Sequence, residues 1–245
     1  MSLTGLGGQI QRRLEEIQSE IAKACKISGR QPSDVKILAI SKKQSLEVIR
    51  AAYEAGVSNF GENYVQEALG KMSALAGLSN LSWEMVGHIQ SRKAKQVAEH
   101  FSSVHSLDSL RLAEMLSQNR PKNAEPLRTY LEVNLAGEES KSGLPAVTDR
   151  DWEALLPLVQ SVAGLQGIKL VGLMTMPPLF EKAEESRQYF IKLRQLRDFL
   201  NANLPGLDLT GLSAGTSTDF AVAVEEGSTI IRVGSRLLGP RNYQN

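Results

Sequence analysis

The stretch VKILAISKK, at Val35–Lys43, is a short apolar run that ends in two lysines. Its length, the Gly/Pro-containing segment before it and the polar residues after it are typical of a buried strand in a parallel sheet. A lysine where such a strand opens into a loop lies at the rim of the core, where partial loss of hydration favours the neutral amine, a nucleophile toward carbonyls. The stretch therefore predicts a first strand with a candidate nucleophile at its end.

The two lysines fall on opposite faces of this strand, because side chains alternate along a strand. Lys42 has the parity of Leu38 and Ile40, and Lys43 has the parity of Ala39. Both faces are apolar, so parity does not choose between the lysines. Both could also be ordinary solvated charges at a strand end.

A strand-then-helix pattern recurs about eight times along the chain. This regularity predicts a parallel sheet with right-handed crossovers, and about eight units in about 210 residues fit a closed (β/α)8 TIM barrel of the α/β class. The barrel is predicted over about 34–239, and apolar residues at helical spacing predict an extra N-terminal helix at about 9–28. An open doubly wound sheet is the alternative. Because no linker or composition break appears, residues 1–245 are predicted to form a single domain.

Composition narrows the class of protein. The 28 basic and 27 acidic residues give a net charge of +1, which provides no electrostatic footprint for nucleic acid or an anionic membrane. Cys25 is the only cysteine, so neither an intrachain disulfide nor a thiolate metal cluster is expected. Without a signal-peptide pattern or an apolar run near the ~20 residues of a membrane span, we expect a soluble, cytoplasmic protein.

In a barrel of this kind the working residues lie where strands exit into helices. The histidines lack the spacing of zinc ligands, so no metal site is predicted, and His100 and His105 are predicted to be structural. Five exits carry polar or unusually small residues: Ser41–Lys43, Asn59–Tyr64, Gly87–Gln90, Met174–Pro178, and the pair Ser213–Ser217 with Gly234–Ser235.

The last of these exits combines the loops after the seventh and eighth predicted strands, where barrels frequently hold phosphate. Small residues let backbone N–H groups approach an anion, and a helix predicted to start at Thr218 would direct its positive end there. The alternative is that Ser217 is an ordinary N-cap and the glycines are turn residues.

Arg232 lies within the eighth predicted strand, although arginine is rarely buried unless it is paired. It could pair with a core carboxylate, or it could face the barrel mouth and contact a ligand. A rim lysine, a phosphate site and an arginine together suggest a phosphorylated aldehyde held as a Schiff base, for which pyridoxal 5'-phosphate (PLP) is the usual biological choice.

Six segments carry a resemblance to a known family: AISKKQS, FGENYVQEA, EMVGHIQSRKAK, VGLMTMPP, LSAGTSTDFAVAVEEGST and IIRVGSRLLGPR. From about Gln9 to Arg241 the chain resembles the pyridoxal phosphate homeostasis proteins, PLP-binding barrels similar to the N-terminal barrel domain of alanine racemase. The resemblance implies these roles: Lys42 carries PLP as a Schiff base, Ser217, Gly234 and Ser235 hold the phosphate, Arg232 faces the pyridine nitrogen, and Asn63 and His88 line the pocket. One departure is that Ala214 and Thr216 stand where the family usually has methionines, which predicts looser packing near the cofactor.

The resemblance implies a role in PLP homeostasis, by buffering PLP or delivering it to apo forms of PLP-dependent enzymes. An arginine, always protonated, would keep the pyridine nitrogen unprotonated and weaken the ring as an electron sink. The sequence ends soon after the eighth predicted strand, so we expect no second domain to supply a racemase's second base. We therefore expect a non-catalytic carrier, and because barrel packing accounts for the long amphipathic helices we expect a monomer. The alternatives are a small PLP enzyme such as an amino-acid racemase, and a barrel for an unrelated phosphorylated metabolite.

Overall fold

The computed structural model describes residues 5–138 and 141–241, and within these ranges it contains nine strands and nine α-helices. The strands are β1 (Lys36–Ile40), β2 (Asn59–Glu62), β3 (Ser82–Met85), β4 (Ser103–Leu107), β5 (Leu127–Asn134), β6 (Leu144–Pro145), β7 (Ile168–Met174), β8 (Gly211–Ser213) and β9 (Ile230–Val233). The helices are α1 (Leu6–Ser28), α2 (Leu46–Glu54), α3 (Val65–Ala74), α4 (Ala94–His100), α5 (Leu110–Asn119), α6 (Asp149–Ala163), α7 (Arg187–Asn203), α8 (Phe220–Glu225) and α9 (Ser235–Leu238).

Eight of these strands close into a parallel barrel. Neighbours follow the order β4-β3-β2-β1-β9-β8-β7-β5, and β4 also pairs with β5, so no edge remains. The two-residue β6 pairs only with the end of β5. The predicted α/β TIM barrel is therefore confirmed, and the open sheet is excluded.

Strand alternation separates two apolar regions. Leu38 and Ile40 of β1 belong to a cluster inside the barrel with Tyr130 and Ile230, whereas Ala39 belongs to the larger core between strands and helices. Strand β1 ends at Ile40, so the two predicted lysines lie in the turn that follows it.

The predicted N-terminal helix is present as α1, which packs outside the barrel against α2, α8 and α9. Its apolar stripe is buried, and Gly29 ends it in the left-handed conformation (φ +68°). Among the described helices, none combines the length and apolar character needed to cross a membrane.

The helix after β8 starts at Phe220, so the prediction of a start at Thr218 was wrong. Asp219 causes the delay, because its Oδ1 accepts hydrogen bonds from the Thr216 N–H (2.6 Å) and from the Thr216 hydroxyl (2.9 Å). A turn therefore occupies the residues that sequence periodicity assigned to the helix.

Candidate functional site at the barrel mouth

A cavity of about 450 Å³ opens at the carboxyl ends of the barrel strands. All seven residues predicted for the site line it: Lys42, Asn63, His88, Ser217, Arg232, Gly234 and Ser235. They come from loops after β1, β2, β3, β8 and β9 and from β9 itself. The barrel thus brings together residues that are far apart in the sequence.

The turn after β1 separates the two lysines. Lys42 is half-buried and lines the cavity. Lys43 is exposed, adopts the left-handed conformation (φ +58°), and its backbone N–H donates to Glu67 Oε1 (2.6 Å). Of the two lysines, Lys42 is therefore the one that lines the cavity.

A buried ionic cluster lies behind this turn. The amine of Lys71 donates to the Ser41 carbonyl (2.6 Å), Glu62 Oε1 (2.7 Å) and Glu67 Oε1 (2.6 Å). The Ser41 hydroxyl also donates to Glu62 Oε1 (2.7 Å). Burial raises the pKa of Glu62, with Lys71 opposing that shift. Because a buried cation requires such partners, the cluster ties the Lys42 turn to α3.

Arg232 is 5% exposed and reaches from β9 into the base of the cavity. Its Nη1 donates to the carbonyl (2.6 Å) and hydroxyl (2.8 Å) of Ser213, and its Nη2 donates to the Thr175 carbonyl (2.8 Å) and Met176 Sδ (2.9 Å). Burial lowers its pKa to about 10, so it remains a cation at neutral pH. In the described chain no carboxylate forms an ion pair with it, which argues against the core-pair alternative.

The loops after β8 and β9 form one wall of the cavity, lined by Ser217, Gly234 and Ser235. A side chain on Gly215 (φ +88°) would place its Cβ 2.6 Å from Ala223 Cβ, so this turn requires glycine. A Cβ on Gly234 would find its nearest neighbours at 3.7 Å, so the chain itself leaves this position open toward the cavity. Arg241 also lines this wall.

Ala214 and Thr216 are the two residues that are smaller than the methionines usual in the resembling family. Ala214 is buried (1% exposed), and Thr216 makes the turn with Asp219 described above. The expected looseness here remains a prediction.

Asn63 and His88 line the third side of the cavity. Asn63 Oδ1 is buried and has no hydrogen-bond partner among the described residues. The side chain of His88 is 62% exposed, and its Nδ1 lies 3.5 Å from Asp108 Oδ2. Asn63 therefore offers an unused acceptor to a ligand.

Sequence reasoning missed Glu132 and Arg241 as lining residues, whereas Met176 lies in one of the five predicted exits. Burial raises the pKa of Glu132 to about 7; the charge of Asp108 adds to this shift, and Arg232 opposes it. Glu132 has the parity of Tyr130, which faces the barrel interior, so alternation along β5 was the signal that could have found it.

Comparison with known proteins assigns the chain to a family. The alanine racemase N-terminal domain family matches residues 13–242. A pyridoxal phosphate homeostasis protein of Pseudomonas aeruginosa is 42% identical over 235 residues, 96% of each chain. That of Aquifex aeolicus is 41% identical over 231 residues, 94% of this chain and 98% of its own. The chain belongs to the pyridoxal phosphate homeostasis protein family.

Solved structures agree with membership of the pyridoxal phosphate homeostasis protein family. PipY of Synechococcus elongatus, with PLP bound, is 37% identical, with a TM-score of 0.82 over 94% of this chain and 100% of its own. An alanine racemase of Clostridium difficile is 14% identical, with a TM-score of 0.67. The match covers 94% of this chain and 56% of the racemase, and at this identity it shows the shared fold alone.

Proposed function

We propose that this chain is a single barrel domain that binds PLP at the barrel mouth and buffers or delivers it, without catalytic turnover. The observation that carries the proposal is that one cavity holds a half-buried lysine, a buried arginine and a wall of glycine and hydroxyl groups. PLP, when bound, supplies an electrophilic aldehyde on an electron-withdrawing ring. The family membership supports the same cofactor.

Lys42 is the residue that we assign to the aldehyde. Its amine would condense with the aldehyde carbon, forming a carbon–nitrogen double bond and releasing the aldehyde oxygen as water, so no oxidant or reductant is needed. Its position in the cavity and the fixed turn behind it support this assignment. Lys43 makes a poorer candidate, because its side chain is exposed and does not line the cavity.

Ser217, Gly234 and Ser235 are assigned to the phosphate. The Ser217 hydroxyl and the backbone at Gly234 and Ser235 line one wall, and the missing side chain at Gly234 leaves space that a Cβ would fill. Small residues and backbone N–H groups suit an anion. The Arg241 cation on the same wall adds favourable charge.

Arg232, Asn63 and His88 are assigned to the ring. One Nη2 donor of Arg232 is used on Met176 Sδ, a weak acceptor that a pyridine nitrogen could replace. The unpartnered Asn63 Oδ1 could accept from a ligand hydroxyl. His88 completes the rim. The residues present therefore fit PLP.

The fixed charge of Arg232 supports a carrier rather than an enzyme, because a cation at the pyridine nitrogen disfavours its protonation and weakens the electron sink. One observation favours the alternative of a weak racemase: Glu132, with a pKa raised to about 7, lines the same cavity and could act as a second base. Deuterium exchange at Cα of common amino acids decides between them. We expect no exchange above the rate of free PLP.

The main experiment is a visible absorption spectrum of the purified protein with PLP, followed by borohydride reduction and peptide mapping. We expect a yellow protein and a pyridoxyl adduct on Lys42, lost in Lys42→Gln. Lys43→Asn is the matched control, because asparagine tolerates the left-handed backbone, and it should keep the adduct. An adduct on Lys43 would move the site by one residue, and no adduct with excess PLP would overturn the proposal.

A further inference from the structure

A column of buried polar side chains crosses the barrel interior beneath Arg232. Ser213 Oγ lies 2.8 Å from Arg232 Nη1 and 2.8 Å from His105 Nδ1. His105 Nε2 lies 2.8 Å from Glu84 Oε2, which also accepts from the Ser103 hydroxyl (2.8 Å). These five residues are between 0% and 5% exposed. They come from β3, β4, β8 and β9, so the column spans the barrel.

Apolar residues would fill this interior at lower cost, since each buried polar group must keep its hydrogen bonds. The column is continuous, and it ends on the guanidinium that faces the cavity. Its other end is the amine of Lys36, which forms an ion pair with Glu84. His105 is also stacked on Tyr130, with ring centroids 4.4 Å apart, which fixes the imidazole plane.

The charges of the column allow one arrangement of protons. Burial would raise the pKa of Glu84, but the hydrogen bond from His105 and the charge of Lys36 outweigh it and hold that pKa well below its usual range, so Glu84 is an anion. Burial lowers the pKa of His105, and the Arg232 and Lys36 cations lower it further. Glu84 opposes this shift but does not reverse it, so the imidazole is neutral.

A carboxylate is acceptor-only, so the single imidazole proton must be on Nε2. His105 Nδ1 is then an acceptor, and the Ser213 hydroxyl donates to it. The oxygen of Ser213 is thereby left to accept from Arg232 Nη1.

We propose that Glu84 and His105 are positioning residues that act through Ser213 to fix the Arg232 guanidinium against the cofactor ring. This inference rests on the proposed function, because it assigns Arg232 to the pyridine nitrogen. It adds that the orientation of this donor is set by a carboxylate on the far side of the barrel. The column thus determines how firmly the ring nitrogen is held unprotonated.

The first test uses the protein without PLP. The chain has three histidines, so imidazole nitrogen NMR of histidine-labelled protein, with His88→Gln and His100→Gln spectra for assignment, isolates His105. We expect a neutral Nε2–H tautomer from about pH 5.5 to about pH 8, where an ordinary histidine with a pKa of about 6.5 changes charge. An Nδ1–H tautomer, or a titrating His105, would overturn the proposed arrangement.

The second test uses Ser213→Ala and Glu84→Gln loaded with isotope-labelled PLP. Ser213→Ala removes the hydroxyl link but keeps the backbone carbonyl that binds Arg232. Glu84→Gln keeps the side-chain shape and removes the charge that selects the tautomer. In both we expect about tenfold weaker PLP binding and a ring nitrogen whose NMR shift becomes pH-dependent. In the wild type that shift should not change with pH.

The control is Tyr130→Phe, which keeps the ring stacked on His105 and leaves the Glu84–His105–Ser213 links intact. It should retain wild-type PLP affinity and ring-nitrogen shift. Variants that bind PLP with an unchanged shift would overturn the positioning role alone. A wild-type protein that forms no adduct would overturn the proposed function and this role with it, while the tautomer test would still stand.

Discussion

The two sides of the cavity are built by different physical means. On the β1 side, charges hold the turn that carries Lys42, because the buried amine of Lys71 joins its backbone to the carboxylates of Glu62 and Glu67. On the β8–β9 side, close backbone approach holds the loops, with Gly215 at φ +88°. We therefore expect the β1 side to lose stability when a charge is removed, and the β8–β9 side to lose stability or PLP affinity when side-chain volume is added.

The largest effect is expected for Lys71→Met, which keeps the apolar stem and leaves Glu62 buried without its cation. We expect a loss of about 3–5 kcal/mol in the free energy of unfolding, measured with denaturant. The control is Lys95→Met, whose side chain is 69% exposed and pairs with Glu99 at 3.8 Å; it should lose less than about 1 kcal/mol. Similar losses in the two variants would show that the cluster does not hold the turn.

On the other side, Gly215→Ala should lose about 3 kcal/mol and Gly206→Ala about 1 kcal/mol. Both glycines have positive φ, +88° and +84°, but a Cβ at Gly215 would lie 2.8 Å from Phe220 Cα, whereas nothing lies within 4 Å of one at Gly206. The pair therefore separates overpacking from backbone strain, and thermal unfolding measures both. Equal losses of stability in the two variants would assign the whole effect to backbone strain.

Gly234→Ala should affect binding more than stability, because the added methyl group would enter the cavity without meeting the chain closer than 3.7 Å. We expect PLP affinity to fall about tenfold, or about 1.4 kcal/mol, while the free energy of unfolding without PLP changes by less than that. Fluorescence titration and denaturant unfolding are the two measurements. Unchanged PLP affinity would remove Gly234 from the phosphate site.

The smallest effect concerns Glu132 and pH. Its pKa is raised from an ordinary 4.5 to about 7, so between these values the folded state binds a proton that the unfolded state has lost. Stability from this group is therefore fully present below about pH 4.5 and is lost as pH rises through about 7. Since the carboxyl is partly exposed, we expect about 1 kcal/mol. Glu132→Gln should abolish this slope in unfolding experiments; a slope that persists would assign it to another group.

Local pattern was enough to predict the barrel, the helix α1 and the strand exits that carry candidate residues, because strand ends and alternation are properties of short segments. The roles of the seven predicted site residues came from the family resemblance. Lys42 shares the parity of Leu38 and Ile40, both of which face the barrel interior. Alternation along β5 likewise puts Glu132 on the same face as Tyr130, which lies inside the barrel.

What sequence could not supply is contact between strands that are distant in the chain. Whether Arg232 pairs with a core carboxylate or faces the cavity depends on the strand register that places it beside Leu38. It also depends on the Ser213 and Thr175 carbonyls, which accept its hydrogen bonds. His105 was predicted to be structural, yet its bonds to Glu84 and Ser213 require three strands at the right heights. The start of α8 was mispredicted because the Asp219 side chain competes with helical hydrogen bonding.

The packing of α1 has a consequence for biosynthesis. This first helix packs on α8 and α9 as well as on α2, and β1 closes the barrel by pairing with β9 as well as with β2, so the packing of both early elements is completed only after β9 and α9 are made. Proteins emerge from the ribosome with the N-terminus first, so β1 remains an unpaired edge on one side until β9 is made. A chain stalled before β8 would carry Lys42 without Ser217, Gly234 or Ser235, so the proposed site could capture the cofactor only after β9 has been made.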